Sequence, residues 1–273
     1  MRVVIDNDWA GDPDGLVALA HHVLSPSNKV VGVTSSFLSP MFGPNAGGAE
    51  RGSALALELL ALLGRPEVPV ASGVDMPFKR TRPLSAAATM ITDVARTPSE
   101  LPLVVVCGGP LTNVAEALAA DGTMASRFTL VWVGGSVTDD AEYNRDTDSE
   151  AAAFVLAHPE LVIRQIPLEI YRALTFTVAE LEHSLTSTGE LGAWLWQRFV
   201  ELPLPDFVSV NPIWPLGDSA PIVVTALPEH PATSSWEAIT ETRSVCTAID
   251  TRLVVGDMLA RFALHEKGAP GSQ

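Results

Sequence analysis

The sequence has 273 residues, 47% of them hydrophobic and 18% charged, which is enough for a substantial core and wrong for a disordered chain. Its 32 acidic side chains outnumber 17 basic ones, and the net charge of −15 argues against nucleic acid or acidic membrane partners. Two distant cysteines, Cys107 and Cys246, provide neither a disulfide framework nor a metal-type spacing. We expect a soluble, cytoplasmic protein without a membrane span that binds small molecules.

Short apolar runs alternate with longer helical patterns from the start of the chain. The runs predict strands at 3–5, 30–34, 103–107, 129–133 and 161–166. Helices are predicted between them at 15–24, 46–63, 86–95, 112–120 and 148–157. Continuous apolar strands joined by crossover helices predict an α/β fold, a mainly parallel, Rossmann-like open sheet flanked by helices.

The part of the chain after Leu174 has less regular patterns. It predicts helices at 177–185, 191–201 and 222–227, strands within 237–252 at the sheet edge, and a short helix at 256–264. A proline-rich stretch contains Pro203, Pro205, Pro212 and Pro215. Residues 267–273 are expected to fray. Because no repeat or low-complexity linker divides the chain, we expect one domain, 1–273.

Four aspartates follow the first predicted strand in a short loop: Asp6, Asp8, Asp12 and Asp14. Like charges this close repel, and burying them costs on the order of several kcal/mol each unless a cation is present. Open α/β sheets also bind ligands at the carboxyl ends of their strands. Asp14 as a helix cap and Asp12 as a turn residue are the structural alternatives. The four together predict a site for a hard cation with oxygen ligands.

Three later segments also combine turn residues with polar side chains. Residues 108–113, Gly-Gly-Pro-Leu-Thr-Asn, join a predicted strand to a helix, as an ordinary turn would. Residues 139–144 carry acids and an amide suited to a hydroxyl-rich ligand, although a solvated loop has the same composition. Asp218, after Trp214, is either a helix cap or a ligand at a helix start.

Together these segments resemble the inosine–uridine nucleoside hydrolase family over most of the chain. The similar segments, in order, are the aspartate loop, Asn45-Ala46 with Arg51, and residues 63–70, 109–113, 134–135, 141–144, 148–152 and 216–218. Each segment alone is weak evidence, but their common order is specific to the family.

The resemblance implies hydrolysis of an N-ribosidic bond in a nucleoside or nucleotide, with bound Ca²⁺. Asp8 would bind the metal and act as general base on the attacking water. The other implied metal ligands are Asp14, the carbonyl of Thr112, and Asp218. Ribose hydroxyls would be held by Asp12, Glu142 and Asn144. The resemblance also implies a homo-oligomer, a dimer or tetramer. Apart from the resemblance, Trp9 or Trp214 is expected to stack on the base, unless they are core residues, because no obvious acid is present to protonate it.

The sequence also departs from the family pattern. Pro13 separates two acids that are normally adjacent, and Gly217 replaces a histidine that commonly precedes the last acid. Ser39 stands where the family has a sugar-contacting asparagine, and the usual Gly/His-rich lid segment is not found. The basic segment Lys79-Arg80-Thr81-Arg82 is either a solvated turn or a contact for a 5′-phosphate.

Two alternative functions are compatible with parts of the sequence. One is an aspartyl phosphatase of the haloacid dehalogenase type, with Asp6 as nucleophile and Mg²⁺ as cofactor. That hypothesis does not explain the later segments. The other is a catalytically degenerate relative that binds ribose or nucleosides without turnover.

Overall fold

A computed structural model describes residues 1–40, 47–202, 212–227 and 232–268. Eight strands form one sheet in the order β3-β2-β1-β4-β5-β6-β10-β9, in which every neighbouring pair is parallel except β9 with β10. Strands β7 and β8 form a separate antiparallel pair. The strands are β1 Arg2–Asn7, β2 Lys29–Ser35, β3 Val70–Ser72, β4 Leu103–Cys107, β5 Thr129–Val133, β6 Val162–Ile166, β7 Thr175–Thr177, β8 Ile213–Pro215, β9 Ser234–Ala238 and β10 Arg243–Ile249.

Helices follow most strands and cover the sheet. They are α1 Pro13–Leu24, α2 Gly48–Leu62, α3 Ala86–Arg96, α4 Thr112–Ala120, α5 Tyr143–Thr147, α6 Ser149–Leu156, α7 Leu168–Tyr171, α8 Val178–Thr186, α9 Glu190–Val200, α10 Ile222–Thr225 and α11 Thr251–Gly268. Two short 3₁₀ helices span Gly122–Arg127 and Gly217–Ser219. In the part of the chain that the structure describes, no helix is long and apolar enough to cross a membrane.

The apolar strands are buried on both faces, as their composition predicts. Successive side chains of a strand point to opposite faces. In β1, Val3 and Ile5 belong to the core packed against α1, α2, α9 and α11, whereas Val4 belongs to the core packed against α3, α4 and α6. The two cores fix the register of β1 and therefore the position of the loop that follows it.

The sheet reverses its direction of growth at β1. Strand β1 pairs with β2 on one side and with β4 on the other. The chain builds β2 and β3 outward in one direction and then returns to add β4, β5 and β6 in the other. Such a switch point opens a crevice at the carboxyl ends of the two central strands. The aspartate loop after β1 and the glycine turn after β4 lie at this crevice.

The predicted fold class is confirmed, and most predicted elements are present. The C-terminal helix was predicted wrongly at 256–264, because α11 extends over Thr251–Gly268. Asp250 accepts a hydrogen bond from the backbone N–H of Leu253 at this helix start, so the predicted strand region ends before Thr251. Gly256 is exposed in the helix interior, where it costs only about 1 kcal/mol relative to alanine.

Some predictions fall on parts of the chain that are not described. Asn45 and Ala46, Pro203 and Pro205, and the predicted frayed residues 269–273 lie outside the described residues. Lys267, which was also expected to fray, belongs to α11.

Candidate active site

The loop after β1 carries two aspartates to the start of α1. The helix begins at Pro13, a position that suits proline because the first helical N–H has no partner within the helix. Asp12 precedes it with extended backbone, and its side chain does not cap the helix. Asp14 lies in the first turn, where the helix dipole favours a negative charge. Pro13 therefore starts the helix and leaves both carboxylates at the crevice.

Asp12, Asp14 and Asp218 form a carboxylate group, with one oxygen of each lying within 4.8 Å of the others. Asp218 comes from the 3₁₀ helix that follows β8. Its backbone N–H donates to Asp14 Oδ2 at 3.2 Å, and Asn7 Nδ2 donates to Asp218 Oδ2 at 2.6 Å. Asp14 and Asp218 are buried, whereas Asp12 is partly exposed. Acids from two distant segments are thus held together away from solvent.

Burial raises the pKa of each carboxyl in this region. Desolvation is the largest cause at Asp12, Asp14 and Asp218, and repulsion by neighbouring carboxylates raises the pKa further at Asp12 and Asp218. Burial raises the pKa of Asp8 from 3.8 to about 7, with repulsion from Asp14 and Asp6 contributing. A bound cation would favour the ionised form of all these groups.

Two glycines allow the backbone to approach these side chains. A Cβ on Gly108 would lie 2.5 Å from Asn7 Nδ2 and 2.7 Å from Asp218 Oδ2. A Cβ on Gly109 would lie 3.0 Å from Asp8 Oδ1. Because real Cβ atoms rarely come this close to other heavy atoms, the glycine turn after β4 leaves the carboxylates the space they occupy.

Asp8 has one satisfied oxygen and one unsatisfied oxygen. Its Oδ2 accepts a hydrogen bond from the Tyr143 hydroxyl at 2.8 Å, and its backbone N–H donates to Asn7 Oδ1 at 2.8 Å. Asp8 Oδ1 is buried and has no hydrogen-bond partner among the described residues. The same is true of Asn144 Oδ1. Unpartnered buried oxygens are costly and point to a ligand that completes them.

The side chains present fit a hard cation. Carboxylate and amide oxygens are the ligands that Ca²⁺ and Mg²⁺ take in proteins, and the acidic group supplies a strong negative charge. The unpartnered oxygen of Asp8 and the close glycine turn provide a place where such an ion could be held.

The loop between β5 and α5 supplies Glu142 and Asn144. Glu142 is buried and caps α5, and its oxygens accept hydrogen bonds from three backbone N–H groups and from the Tyr171 hydroxyl. Asn144 Nδ2 donates to the carbonyls of Gly108 at 2.7 Å and Val133 at 2.9 Å. These bonds fix both side chains. Of their side-chain polar atoms, only Asn144 Oδ1 is left without a partner among the residues that the structure describes.

A cavity of about 250 Å³ opens beside the carboxylate group. Acids, an amide and aromatic rings line it together: Asp12, Asp14, Glu142, Asn144, Asp218, Tyr143, Tyr171 and Trp214. Such a mixture of apolar rings and a few converging polar groups is typical of a small-molecule site.

The chain matches the family model for inosine-uridine preferring nucleoside hydrolases over residues 3–270. The chain belongs to the inosine–uridine preferring nucleoside hydrolase family. A probable uridine nucleosidase 2 of Oryza sativa subsp. japonica is 30% identical over 228 residues, 71% of this chain and 64% of the rice protein. The chain thus spans less than two thirds of that relative's length.

The chain is also similar to a bacterial hydrolase and to solved structures. A pyrimidine-specific ribonucleoside hydrolase of Salmonella schwarzengrund is 28% identical over 186 residues, 57% of this chain and 56% of that protein. Among solved structures, a plant nucleoside hydrolase (PpNRh1) aligns with a TM-score of 0.72 at 19% identity, covering 96% of this chain and 98% of its own. An inosine-guanosine nucleoside hydrolase gives a TM-score of 0.75 at 18% identity, covering 96% and 99%. These structures share the fold of this nucleoside hydrolase family member.

The two tryptophans predicted to stack on a base lie in different places. Trp214, on β8, lines the cavity, and its ring contacts Phe199 edge-on at a centroid distance of 6.0 Å. Trp9 is only 1% exposed and belongs to the core, and its Nε1 donates to the carbonyl of Thr34 at 3.0 Å. Trp9 is therefore placed as a core residue, and its predicted base contact is not supported by its position.

Thr112 begins α4, and its side chain is bound away from the acidic group. Its hydroxyl donates to Asp148 Oδ2 at 2.6 Å, and Asp148 also accepts hydrogen bonds from the backbone N–H groups of Phe78 and Ala151. These bonds join three segments beside the glycine turn. That the Thr112 carbonyl binds the metal stays a prediction.

Gly217 and the basic segment have local structural explanations. Gly217 packs against a ring, because a Cβ there would lie 2.7 Å from Tyr171 Cδ2. In the basic segment, Arg80 lies over the Phe154 ring and Arg82 forms an ion pair with Glu116 at 3.5 Å. Neither arginine lines the cavity, so the segment has the contacts of a structural turn.

Asp6 is not available as a phosphatase nucleophile. It is fully buried, and its oxygens accept hydrogen bonds from Thr34, Asn113 and Cys107. Its neighbourhood argues against the haloacid dehalogenase hypothesis, which needs an exposed oxygen at this position.

Sequence reasoning missed three residues that organise the site. Asn7 connects the Asp8 backbone to Asp218, Tyr143 contacts Asp8, and Tyr171 contacts Glu142. Asn7 and Tyr143 stand inside segments that the sequence had singled out, next to acids. The sequence signal that could have identified Asn7 and Tyr143 is that each stands directly between two candidate ligands.

Proposed function

We propose that the protein is a Ca²⁺-dependent N-ribosyl hydrolase, which splits the N-glycosidic bond of a ribonucleoside or related N-riboside into ribose and free base. The observation that carries this proposal is the group of Asp12, Asp14 and Asp218, which lies beside Asp8 and lines a cavity at the switch point. Membership of the nucleoside hydrolase family supports it.

The proposed metal ligands are Asp8, Asp14, Asp218 and the carbonyl of Thr112. When bound, Ca²⁺ would supply positive charge that orients water and the ribose diol and lowers the pKa of that water. Asp8 takes a proton from the attacking water while the oxygen of that water bonds to C1′. The C1′–N bond breaks at the same centre, the base leaves with the electron pair, and a proton from solvent then gives the free base.

The remaining polar residues are proposed to hold ribose. Asn144 Oδ1 has no partner among the described residues and can accept a sugar hydroxyl, while Glu142 and Asp12 present carboxylates to the same cavity. The acidic surroundings also stabilise the positive charge that develops on the ribosyl ring as the bond breaks.

The base is proposed to lie against Trp214 and Tyr171, the rings that line the cavity. Relatives named for uridine and pyrimidine nucleosides make uridine the first substrate to test. Because Arg80 and Arg82 contact other residues and do not line the cavity, we expect nucleosides to be better substrates than their monophosphates. A homo-oligomer, a dimer or tetramer, in a reducing cytoplasm completes the proposal.

The test is release of ribose from a panel of purine and pyrimidine nucleosides and their monophosphates, with calcium or with a chelator. Asp8→Asn is compared with wild type, and Asp93→Asn on the exposed face of α3 is the matched control. Removing a general base costs about 10²- to 10⁴-fold in rate, so Asp8→Asn should show almost no release whereas the control retains it.

Chelator-sensitive release that depends on Asp8 would support the hydrolase. Absence of release from every substrate, with calcium still bound and the fold intact, would refute it and favour the degenerate binder. Release of phosphate from small phosphoesters would instead favour the phosphatase hypothesis.

A further inference from the structure

Tyr143 is the residue through which α5 reaches Asp8. The helix begins at Tyr143, and Glu142 fixes that start by capping it. The half-buried ring of Tyr143 lines the cavity, and its hydroxyl donates to Asp8 Oδ2 at 2.8 Å. The phenol also has a hydrogen bond with the backbone of Ser39. The hydroxyl is therefore held between a backbone group and the carboxylate.

The two oxygens of Asp8 have different surroundings as a result. Oδ2 is engaged by Tyr143, whereas Oδ1 is buried without a hydrogen-bond partner in the described part of the chain. An Asp side chain rotates about the bond to its carboxyl carbon, and this rotation is broad. A hydrogen bond on one oxygen fixes the plane of the carboxylate and thereby the direction of the other oxygen. The bond from Tyr143 thus selects where Asp8 Oδ1 points.

We propose that Tyr143 is a positioning residue that orients Asp8 for binding the cation, an inference that rests on the proposed metal site of the hydrolase. Side chains that bind a metal are commonly oriented by a second group that hydrogen-bonds to them, as Tyr143 does to Asp8. Loss of such a group costs about 10- to 100-fold in metal affinity or activity. A hydrogen bond to an ionised acceptor in a water-poor site is also stronger than one between neutral groups.

Tyr171 provides a matched comparison in the same cavity. Its hydroxyl donates to Glu142 Oε1 at 2.8 Å, the same length as the bond from Tyr143 to Asp8. Glu142 is not among the proposed metal ligands. Replacing either tyrosine by phenylalanine removes one hydroxyl from the cavity, but only Tyr143→Phe removes a bond to a proposed metal ligand.

The experiment is a double-mutant cycle in which the binding constant for Ca²⁺ is measured by calorimetry. The proteins are wild type, Tyr143→Phe, Asp8→Asn, the double variant and Tyr171→Phe. Melting curves confirm that each is folded. We expect Tyr143→Phe to weaken calcium binding about tenfold in the wild-type background and less than about twofold in the Asp8→Asn background. Tyr171→Phe should stay within about twofold of wild type.

An equal loss in both backgrounds would overturn the proposal, because Tyr143 would then act independently of Asp8. An unchanged affinity in Tyr143→Phe, or no calcium binding by wild type, would overturn it too. Ribose release measured on the same proteins separates this inference from the proposed function. If calcium binding follows the expected pattern but wild type releases no ribose, hydrolysis is refuted and the positioning role of Tyr143 is kept. If wild type releases ribose but Tyr143→Phe weakens calcium binding equally in both backgrounds, hydrolysis is kept and the positioning role is refuted.

Discussion

Asp6 and Asp8 stand two positions apart at the end of β1, and their surroundings differ. Asp6 lies inside the sheet, where hydroxyl, amide and thiol groups donate to its oxygens. Asp8 lies beyond the last strand residue, with one oxygen bound by Tyr143 and the other unpartnered in the described structure. Asp14 and Asp218, beside Asp8, lie against other carboxylates, although Asp14 also accepts a hydrogen bond from the Asp218 backbone N–H and Asp218 accepts one from Asn7.

The difference shows that neighbouring acids of one loop can have different roles, one in holding the fold together and the other in binding a ligand. An acid surrounded by donors holds neighbouring strands together and has no oxygen left for a ligand. Acids that face one another repel, and a bound cation would offset this repulsion and the cost of burying their charges. Substitutions that affect one class of acid and spare the other test this difference.

The largest effect on calcium binding is expected from Gly108→Ala, which places a new Cβ against the carboxylate group. The new Cβ would lie 2.5 Å from Asn7 Nδ2 and 2.7 Å from Asp218 Oδ2, both buried, so Asp218 must shift. Overpacking of this kind costs about 1 to 3 kcal/mol of unfolding free energy, and we expect calcium binding to weaken at least tenfold as well. Denaturant unfolding and calcium titration measure the two effects.

Gly256→Ala is the control for Gly108→Ala. A Cβ at Gly256 meets no atom within 4 Å, and the position is exposed in α11. Alanine there should raise the unfolding free energy by up to about 1 kcal/mol and leave calcium binding unchanged. Similar calcium affinities in the two variants would contradict the account of the glycine turn.

The largest effect on stability alone is expected from Asp6→Ala, which acts on the acid surrounded by donors. Thr34, Asn113 and Cys107 lose their acceptor inside the sheet. Because buried donors are left unsatisfied, we expect a loss of about 2 to 4 kcal/mol in unfolding free energy. Urea unfolding checks this, and Asp93→Ala on the exposed face of α3 should change stability by less than about 0.5 kcal/mol. A loss no larger than that of the control would show that the Asp6 contacts are dispensable.

The stability of the metal-free protein is expected to depend on pH through acids of both classes. Burial raises the pKa of Asp6 to about 6 and that of Asp8 to about 7, from 3.8. The folded, metal-free protein therefore binds more protons than the unfolded chain in this range. Its stability from these groups is greatest below about pH 4 and falls as the pH rises through about 6 and 7. Calcium relieves the repulsion among the ionised site acids, so its stabilising effect should grow with pH.

Melting temperatures of chelator-treated and calcium-loaded protein test this prediction. The gap between the two should widen from about pH 5 to about pH 8. A gap that narrows over this range would mean that the site acids do not ionise on binding the metal.

The smallest effect is expected from Gly217→Ala, at the rim of the carboxylate group. The new Cβ would lie 2.7 Å from Tyr171 Cδ2, and a partly exposed side chain can move away. We expect a loss of about 1 kcal/mol in stability and a KM raised a few-fold, since the ring lines the cavity. Steady-state kinetics on uridine would measure this, and a kcat reduced as strongly as after Asp8→Asn would contradict it.

The sequence predicts the central strands because they are continuous apolar runs between helical patterns, as in 103–107 and 129–133. It also places Asp8, Asp12, Asp14 and Asp218 at strand or helix ends, where ligands bind. Which acids are surrounded by donors, as Asp6 is, and which lie against other carboxylates could not be predicted. The bonds from Asn113 to Asp6, Tyr143 to Asp8 and Asn7 to Asp218 join residues more than 100 positions apart, and only the folded sheet brings them together.

The position of Trp9 and the length of α11 have local physical causes. Trp9 stands within the aspartate loop, but its ring packs into the core. Helix α11 was predicted too short because Gly256 and β-branched Thr251, Val254 and Val255 weaken a helical pattern. Packing of Val254, Met258 and Phe262 in the core overrides that weakness.

Asp218 is proposed to belong to the metal site and Asp6 to the hydrogen-bonded interior of the sheet, and a calcium titration of two amide variants distinguishes these roles. Both Asp218→Asn and Asp6→Asn remove one buried negative charge, and folding is confirmed for each by circular dichroism. Asp218→Asn should lose calcium binding, whereas Asp6→Asn should bind one ion per chain with an affinity close to that of wild type. Retention of binding in Asp218→Asn together with its loss in Asp6→Asn would contradict both proposed roles.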